Sequence, residues 1–372
     1  MAKPIAGRSF IATFGLVFLA IAGLFAADTF LAKTDRAESH IEATRLFQQG
    51  QSLMAKGDSL TAVDRINDAL AIERGNNDYL RALAEAQLAA GENSDSEATL
   101  TGLLNTNSTD GPANLLMARV LVKEGRGADA VSFFHRAIYG LWKQDPEGNR
   151  RRARLELIDL LAQQNSKEEL LAELLPLEDW TPKDPSQDLK TRARLGDLFL
   201  RADSPSKAAD VFRGILHQMP GNVSAHRGLG QSEFAQGDYR AAQRDFQAAL
   251  RMAPDDAASR HWLDLCDQLL QLDPTLRGLS PDERWRRSVA LIEFVQNDVG
   301  ACLKPDSPPE LQDLAAKADA AVKAHVNPAH ESEASEGNLD LAEQLWQLRR
   351  KECQPPASSD SALALVLKRL AR

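Results

Sequence analysis

The residues that could do chemistry in this chain are few, and their spacing matches no common catalytic or metal-binding site. Three cysteines are too few for a four-cysteine zinc site. His325 and His330 are close in sequence, but Pro328 between them breaks the helix that would align them, and no third ligand is evident. The chain has no H-E-x-x-H, P-loop, G-x-S-x-G or G-x-G-x-x-G motif. We therefore expect no metal, no cofactor, no small-molecule substrate and no enzymatic activity.

One covalent feature is predicted, a disulfide. Cys302 and Cys353 each lie at the end of a predicted helix. In an oxidising compartment they could bond to each other and close a loop of about 50 residues. Cys266 lies in an apolar helical run and is expected to be a buried small hydrophobic residue.

The composition favours a folded, helical protein. Of the 372 residues, 43% are hydrophobic and 26% are charged, which is ordinary for a globular chain. Aromatic residues make up only 6%, and runs of Val, Ile and Thr are scarce, which disfavours an all-β fold. The net charge of −9 argues against nucleic acid as the main partner, because phosphate binding requires a basic face.

An apolar segment near the N-terminus predicts a membrane helix. Lys3 and Arg8 precede Phe10–Ala27, an uncharged stretch that is just long enough to span a bilayer. A cleaved signal peptide is the alternative, because Ala20–Ala22 offers a small-residue cleavage site. In either case we expect the rest of the chain outside the cytoplasm, in a bacterial periplasm, either tethered to the membrane or secreted.

Helical runs beyond residue 42 recur at a fixed spacing along the sequence. Gly50, Ala84 and Ala118 are equivalent positions in three successive units and are equally spaced in residue number. In each unit a small residue is followed twelve residues later by a second small residue, and four further on by a bulky apolar one. Five units keep this register, and a degenerate sixth fits between them. It is offset by six residues before it, in the region Lys143–Asn149, and by four after it. The positions that carry the pattern are Gly50, Ala62, Ile66, Ala84, Ser96, Leu100, Ala118, Ala130, Phe134, Gly196, Ala208, Phe212, Gly230, Ala242 and Phe246, with Pro220 and Pro254 closing the last two units.

This spacing resembles the tetratricopeptide repeat family, whose pattern is W-x2-L-G-x2-Y, then A-x3-F, then P. The best unit has Gly230, Ala242, Phe246 and Pro254 in register, while Glu233 stands where the family has Tyr. The resemblance extends over about 60% of the chain. It implies an all-α solenoid, a right-handed superhelix of antiparallel helix pairs. In such pairs we expect Gly57-Asp58 and Gly237-Asp238 to end one helix and cap the next.

The resemblance also implies a concave groove lined by the first helix of each pair. The expected lining residues are Phe47, Gln51, Met54, Arg81, Leu88, Leu115, Arg119, Arg227, Gln231 and Phe234. Such a mixture of apolar and charged side chains suits a peptide. The family's carboxylate clamp of Lys and Asn has no clean match here, although Arg81, Arg119 and Arg227 could pair with an acidic ligand. The alternative for any single residue is a solvated helix face.

These observations predict a membrane-anchored interaction protein. The expected segments are a short cytoplasmic N-terminus (1–8), a transmembrane helix or signal peptide (9–32), a spacer (33–42), a repeat domain of six units plus a capping helix (43–272), a C-terminal helical region (281–353) and a linker with a terminal amphipathic helix (354–372). The last helix could dock on its own chain or on a partner, and self-docking is favoured.

The expected function is that of a scaffold or assembly factor that holds a protein or peptide segment in the groove. A structural subunit of a stable membrane complex is the first alternative. An enzyme with a site in residues 281–372 is the second, although no polar constellation there supports it.

Overall fold

A computed structural model describes residues 6–178, 185–300, 307–327, 330–352 and 361–370. The regular structure of these ranges consists of 17 α-helices, so the predicted all-α class is confirmed. The chain divides into two compact units, Met1–Gln164 and Asn165–Arg372.

The N-terminal unit contains seven helices in the described residues, and consecutive helices pack against each other. Their bounds are α1 Ala6–Ala55, α2 Ser59–Ile72, α3 Asn77–Ala90, α4 Asn93–Thr106, α5 Gly111–Lys123, α6 Gly127–Tyr139 and α7 Pro146–Gln164. Short turns join α1 to α2, α3 to α4 and α5 to α6, which makes them antiparallel pairs.

The C-terminal unit contains the remaining ten helices of the described residues. Their bounds are α8 Lys167–Glu178, α9 Pro185–Arg201, α10 Pro205–Gln218, α11 Val223–Ala235, α12 Tyr239–Met252, α13 Ala257–Leu272, α14 Pro281–Gly300, α15 Pro309–Lys323, α16 Glu331–Glu352 and α17 Ala362–Leu370. Within this unit α9 packs on α10, α11 on α12, and α13 follows as a single further helix. The predicted superhelix over 43–272 includes residues of both units and stays a prediction.

A left-handed residue stands between the two helices of every predicted pair. Gly57, Gly91, Gly125 and Gly237 have φ of +83°, +87°, +77° and +82°. In the degenerate unit and the one after it, Asn165 and Asp203 take this place, both with φ of 56°. Asn and Asp tolerate this conformation better than other residues with a side chain. The six positions reproduce the period of the repeat together with its two predicted offsets.

Side-chain caps confirm where the helices begin. Asp58 and Asp238 accept hydrogen bonds from the backbone N–H groups of Thr61 and Ala241, as predicted for the second helices. First helices also begin at N-cap residues of capping type, and within each unit these stand one full repeat apart. They are Asn76 and Asp110 in the N-terminal unit, and Asn222 and Asp256 in the C-terminal unit.

The small residues of the repeat lie where helices approach most closely. A Cβ atom added to Gly196 would come within 2.5 Å of the Phe212 ring, and one added to Gly230 within 2.8 Å of the Phe246 ring. Both rings are buried, and Phe212 also contacts Gly228 on the next helix. Each phenylalanine therefore fills the space that a glycine leaves open, as the repeat pattern predicts.

Helices α13 to α17 form a C-terminal core. Leu269, Ile292, Leu345 and Leu367 belong to one buried cluster in this region. The last helix, α17, packs on α13 and α16, and Arg369 pairs at 3.0 Å with the buried Asp273. The terminal helix therefore docks on its own chain.

Two predictions, the N-terminal membrane segment and the disulfide, concern residues that lie partly or wholly outside the described ranges. Residues 9–32 have a helical backbone, and 33–42 continue the same helix α1, but most side chains before Lys33 lie outside the described residues. Among the residues that are described, no helix has the length and apolar character needed to cross a membrane. Cys302 and Cys353 also lie outside them, so their disulfide stays a prediction. Cys266 is buried, and burial raises the pKa of its thiol to about 12.

Candidate functional site

A cavity of about 650 Å³ opens in the N-terminal unit beside α1, α3 and the beginning of α5. The segment that joins α6 to α7 forms a further part of its wall. The lining residues are Phe47, Gln51, Asp78, Arg81, Ala82, Glu85, Asn107, Asp110, Pro112, Leu141, Trp142, Lys143, Gln144 and Asn149.

Helical spacing brings the α1 and α3 side chains into this cavity. Phe47 and Gln51 are one turn apart on α1, and Arg81 and Glu85 are their equivalents one repeat later on α3. The Phe47 ring stacks on Tyr79 with 4.4 Å between ring centroids, which holds it in place. Three of the ten predicted groove residues, Phe47, Gln51 and Arg81, therefore share one cavity.

The segment from Gly140 to Asp145 corresponds to the six-residue offset in the repeat, and it folds over the cavity. The Leu141 N–H donates to the Thr109 carbonyl at 2.8 Å, and the Gly111 N–H donates to the Leu141 carbonyl at 3.0 Å. The Trp142 indole N–H donates to the Ala137 carbonyl at 2.8 Å. These two backbone hydrogen bonds and the hydrogen bond of the Trp142 indole fix the conformation of the segment. The Leu141 side chain is 70% exposed in this conformation.

Glycine is required at both points where this segment meets the rest of the unit. A Cβ atom on Gly111 would lie 2.5 Å from the Trp142 Nε1 atom. One on Gly140 would lie 2.6 Å from the Arg136 carbonyl oxygen. The register shift placed the insertion in the region Lys143–Asn149, slightly later than the loop between α6 and α7, because the bonds that hold it join residues with no repeating pattern.

The cations of the cavity are neutralised by carboxylates of the same chain. Arg81 binds Asp110 at 2.5 Å and also pairs with Asp78, and the Lys143 ammonium lies 3.3 Å from Asp78. Glu85, by contrast, is exposed and makes no hydrogen bond or ion pair with any described residue. The cavity is therefore lined by three carboxylates and two cations, and Glu85 is the carboxylate whose negative charge is not paired with a lining cation.

The three arginines predicted to meet an acidic ligand are all engaged within the chain. Arg81 and Arg227 bind the N-cap aspartates of the following first helices, Asp110 and Asp256, and the Arg227 contact is 2.8 Å. A hydrogen bond from Ser259 and the charge of Arg227 lower the pKa of Asp256. These arginines tie one repeat to the next, which differs from the role that sequence analysis gave them.

Arg119 is likewise paired with a carboxylate of the same chain. Its guanidinium binds Glu156 through two hydrogen bonds of 2.8 and 2.6 Å. This contact raises the pKa of Arg119, and the charge of Glu85 contributes to the rise. Arg119 therefore has a two-point carboxylate partner on α7 already.

The other predicted groove residues have packing roles or lie away from the cavity. Leu115 is buried in its own unit, and Met54 packs beside the core of α1, α2 and α3. The Leu88 carbonyl accepts a hydrogen bond from the Lys123 ammonium at 2.8 Å. Phe234 packs against Trp262, with 4.9 Å between centroids, because α13 continues the stack beyond it. Gln231 lies half-buried on α11.

A partly buried acidic pair, Glu233 and Asp245, lies between α11 and α12 in the C-terminal unit. Burial and the neighbouring Asp245 raise the pKa of Glu233 to about 7. Asp245 also meets the His226 imidazole at 2.7 Å, while Arg213 approaches Glu233 only to 3.9 Å. One Glu233 carboxyl oxygen is buried without a hydrogen-bond partner. In the part of the chain that the structure describes, no three His, Cys, Asp or Glu side chains are placed to hold a metal ion.

Comparison with known proteins supports the repeat assignment. Residues 223–256 match the tetratricopeptide repeat family, and they coincide with the last of the predicted units. No curated protein matches the chain.

Several solved structures are similar to it at low identity. PilW, described as a type IV pilus biogenesis factor, is 17% identical over 59% of this chain and 98% of its own, with a TM-score of 0.38. The C-terminal part of a TPR repeat-containing protein from Cytophaga hutchinsonii is 13% identical over 79% and 98%, with a TM-score of 0.43. YrrB, described as having an unusual peptide-binding site, is 14% identical over 62% and 95%, with a TM-score of 0.32. Each likeness is too distant to carry a function over to this chain.

Proposed function

We propose that this chain is a non-enzymatic interaction scaffold that holds an extended segment of another protein in the cavity of its N-terminal unit. The observation that carries the proposal is the cavity itself, because three of the residues predicted to line a peptide groove meet in it. Tetratricopeptide repeats are in general protein-interaction modules, and residues 223–256 match that family.

The chemistry of the lining suits a peptide. Phe47 and the exposed Leu141 offer apolar contacts for side chains. Gln51, Asn107 and Gln144 carry amide groups that can both donate to and accept from a peptide backbone. An extended segment needs both kinds of contact, since its own backbone groups are not paired with each other.

We also propose that the N-terminal segment tethers the chain to a membrane and that the bulk of it lies outside the cytoplasm, in a bacterial periplasm. The uncharged stretch Phe10–Ala27 supports this. At 1.5 Å per residue, a continuous α1 would hold Phe47 about 30 Å from the end of that stretch. A cleaved signal peptide and secretion to the periplasm are the alternative, and the intact mass of the mature chain separates the two.

A pull-down from mild detergent with mass spectrometry tests the binding proposal. The wild-type chain is compared with the double variant Phe47→Ala and Leu141→Ser, and with Leu60→Ser as a control at an exposed leucine outside the cavity. Loss of partners in the cavity variant alone supports the proposal. The same partners in all three samples would refute it.

The number of captured proteins separates two forms of scaffold. Several partners in low yield indicate an assembly factor. A single partner in equal amount indicates a structural subunit of a stable complex.

A further inference from the structure

The charge distribution inside the cavity of the N-terminal unit indicates which kind of segment it accepts. We infer that the bound segment presents an arginine or lysine next to a bulky apolar residue, and that Glu85 receives the cation. This inference rests on the proposed function, since it names the ligand of the same cavity.

Glu85 is the cavity carboxylate that remains available. Asp110 is only 6% exposed, binds Arg81 and accepts the Ala113 N–H at 2.9 Å as a helix cap. Asp78 is shared between Arg81 and Lys143. Glu85 is exposed and makes no hydrogen bond or ion pair with the residues that the structure describes. Arg119, whose pKa is raised in part by the charge of Glu85, already forms two hydrogen bonds with Glu156.

An acidic ligand is disfavoured by the same contacts. Arg81 is bound by two carboxylates, so a ligand carboxylate would have to displace either Asp78 or the buried Asp110. Breaking a buried pair is costly, because it leaves an uncompensated charge away from water. Lys143 is the remaining cation of the lining, and Asp78 already lies beside it.

The aromatic and apolar lining supplies the second half of the recognition. Phe47, stacked on Tyr79, lines the same cavity as Glu85. An arginine or lysine has an apolar stem and a charged head, so one ligand side chain can contact a ring and a carboxylate together. The neighbouring apolar residue of the ligand then meets Leu141, which the insertion holds in an exposed position.

Selection from a random twelve-residue peptide phage library on the full-length chain tests the inference. We expect the enriched peptides to carry Arg or Lys beside Leu, Phe, Trp or Met. The best synthetic peptide should bind Glu85→Lys at least tenfold more weakly and Glu85→Gln about threefold more weakly, and raised salt should weaken binding to the wild type. Glu38→Lys, an exposed charge reversal on α1 outside the cavity, should bind normally.

The outcomes distinguish a failure of this inference from a failure of the proposed function. Enriched peptides that are acidic, or that bind Glu85→Lys as well as the wild type, would overturn the inference while Phe47→Ala still abolished binding. Peptides that bind Phe47→Ala and Leu141→Ser as strongly as the wild type would overturn both. Circular dichroism of each variant ensures that lost binding does not come from unfolding.

Discussion

Replacing Glu233 by glutamine should stabilise the chain at pH 8 and leave it unchanged at pH 4. The Glu233 side chain is 13% exposed, and burial together with Asp245 raises its pKa from 4.5 to about 7. Asp238 adds repulsion, and Arg213 at 3.9 Å compensates only in part. Glutamine keeps the shape of the protonated acid and can still donate a hydrogen bond to Asp245.

The direction of this change in stability follows from proton binding in the folded and unfolded states. Between pH 4.5 and 7 the folded chain holds a proton at Glu233 that the unfolded chain has lost. Stability is therefore complete below pH 4.5, falls as the pH rises through the window and levels off above pH 7. At about 1.4 kcal/mol per pKa unit the full shift corresponds to roughly 3 kcal/mol. Because the Glu233 side chain remains 13% exposed and solvent screens part of the repulsion, we expect about 2 kcal/mol.

Urea unfolding measured at pH 4 and at pH 8 checks this. The difference between Glu233→Gln and the wild type should be near zero at pH 4 and about 2 kcal/mol in favour of the variant at pH 8. Glu336→Gln, at an exposed glutamate, should show no difference at either pH. An equal difference at both pH values, or a destabilised Glu233→Gln at pH 8, would refute the reasoning.

Two further predictions concern the seam between helices and the cysteines. Gly230→Leu should lower the free energy of unfolding by about 1–3 kcal/mol, because even the Cβ atom of the new side chain would lie 2.8 Å from the buried Phe246 ring. Gly102→Leu, on an open face of α4, should not be destabilised. Equal urea midpoints for the two variants would contradict this packing. A thiol titration of the unreduced native chain should leave Cys266 unlabelled, because this residue is buried. After unfolding, the titration should count one thiol if Cys302 and Cys353 are bonded to each other. A count of three would exclude the disulfide.

The sequence was sufficient to place the helix pairs because their turns carry a local signal. Gly57 and Asp58 show it in the first pair, since glycine adopts the left-handed turn and aspartate caps the next helix. In the degenerate unit the same turn uses Asn165. No glycine marks that turn, and the register of neighbouring units was needed to locate it.

The binding surface was predicted only in part, because it depends on contacts between distant residues. Phe47 and Arg81 were found from their positions on the first helices. Phe234 occupies an equivalent face, but Trp262 on α13 covers it. The pairing of Arg81 with Asp110 and the fold of the insertion at Leu141 depend on tertiary geometry that the repeat pattern does not encode.

The central claim is that the cavity of the N-terminal unit holds a segment of another protein. In-cell crosslinking from a photoreactive amino acid at Gln51, which lines the cavity, tests it most directly, with Asp95 on the exposed face of α4 as the comparison position. The account predicts protein adducts from position 51 that are absent from position 95 and that disappear when Leu141→Ser is added. Adducts of equal yield from both positions, or none from position 51, would contradict it.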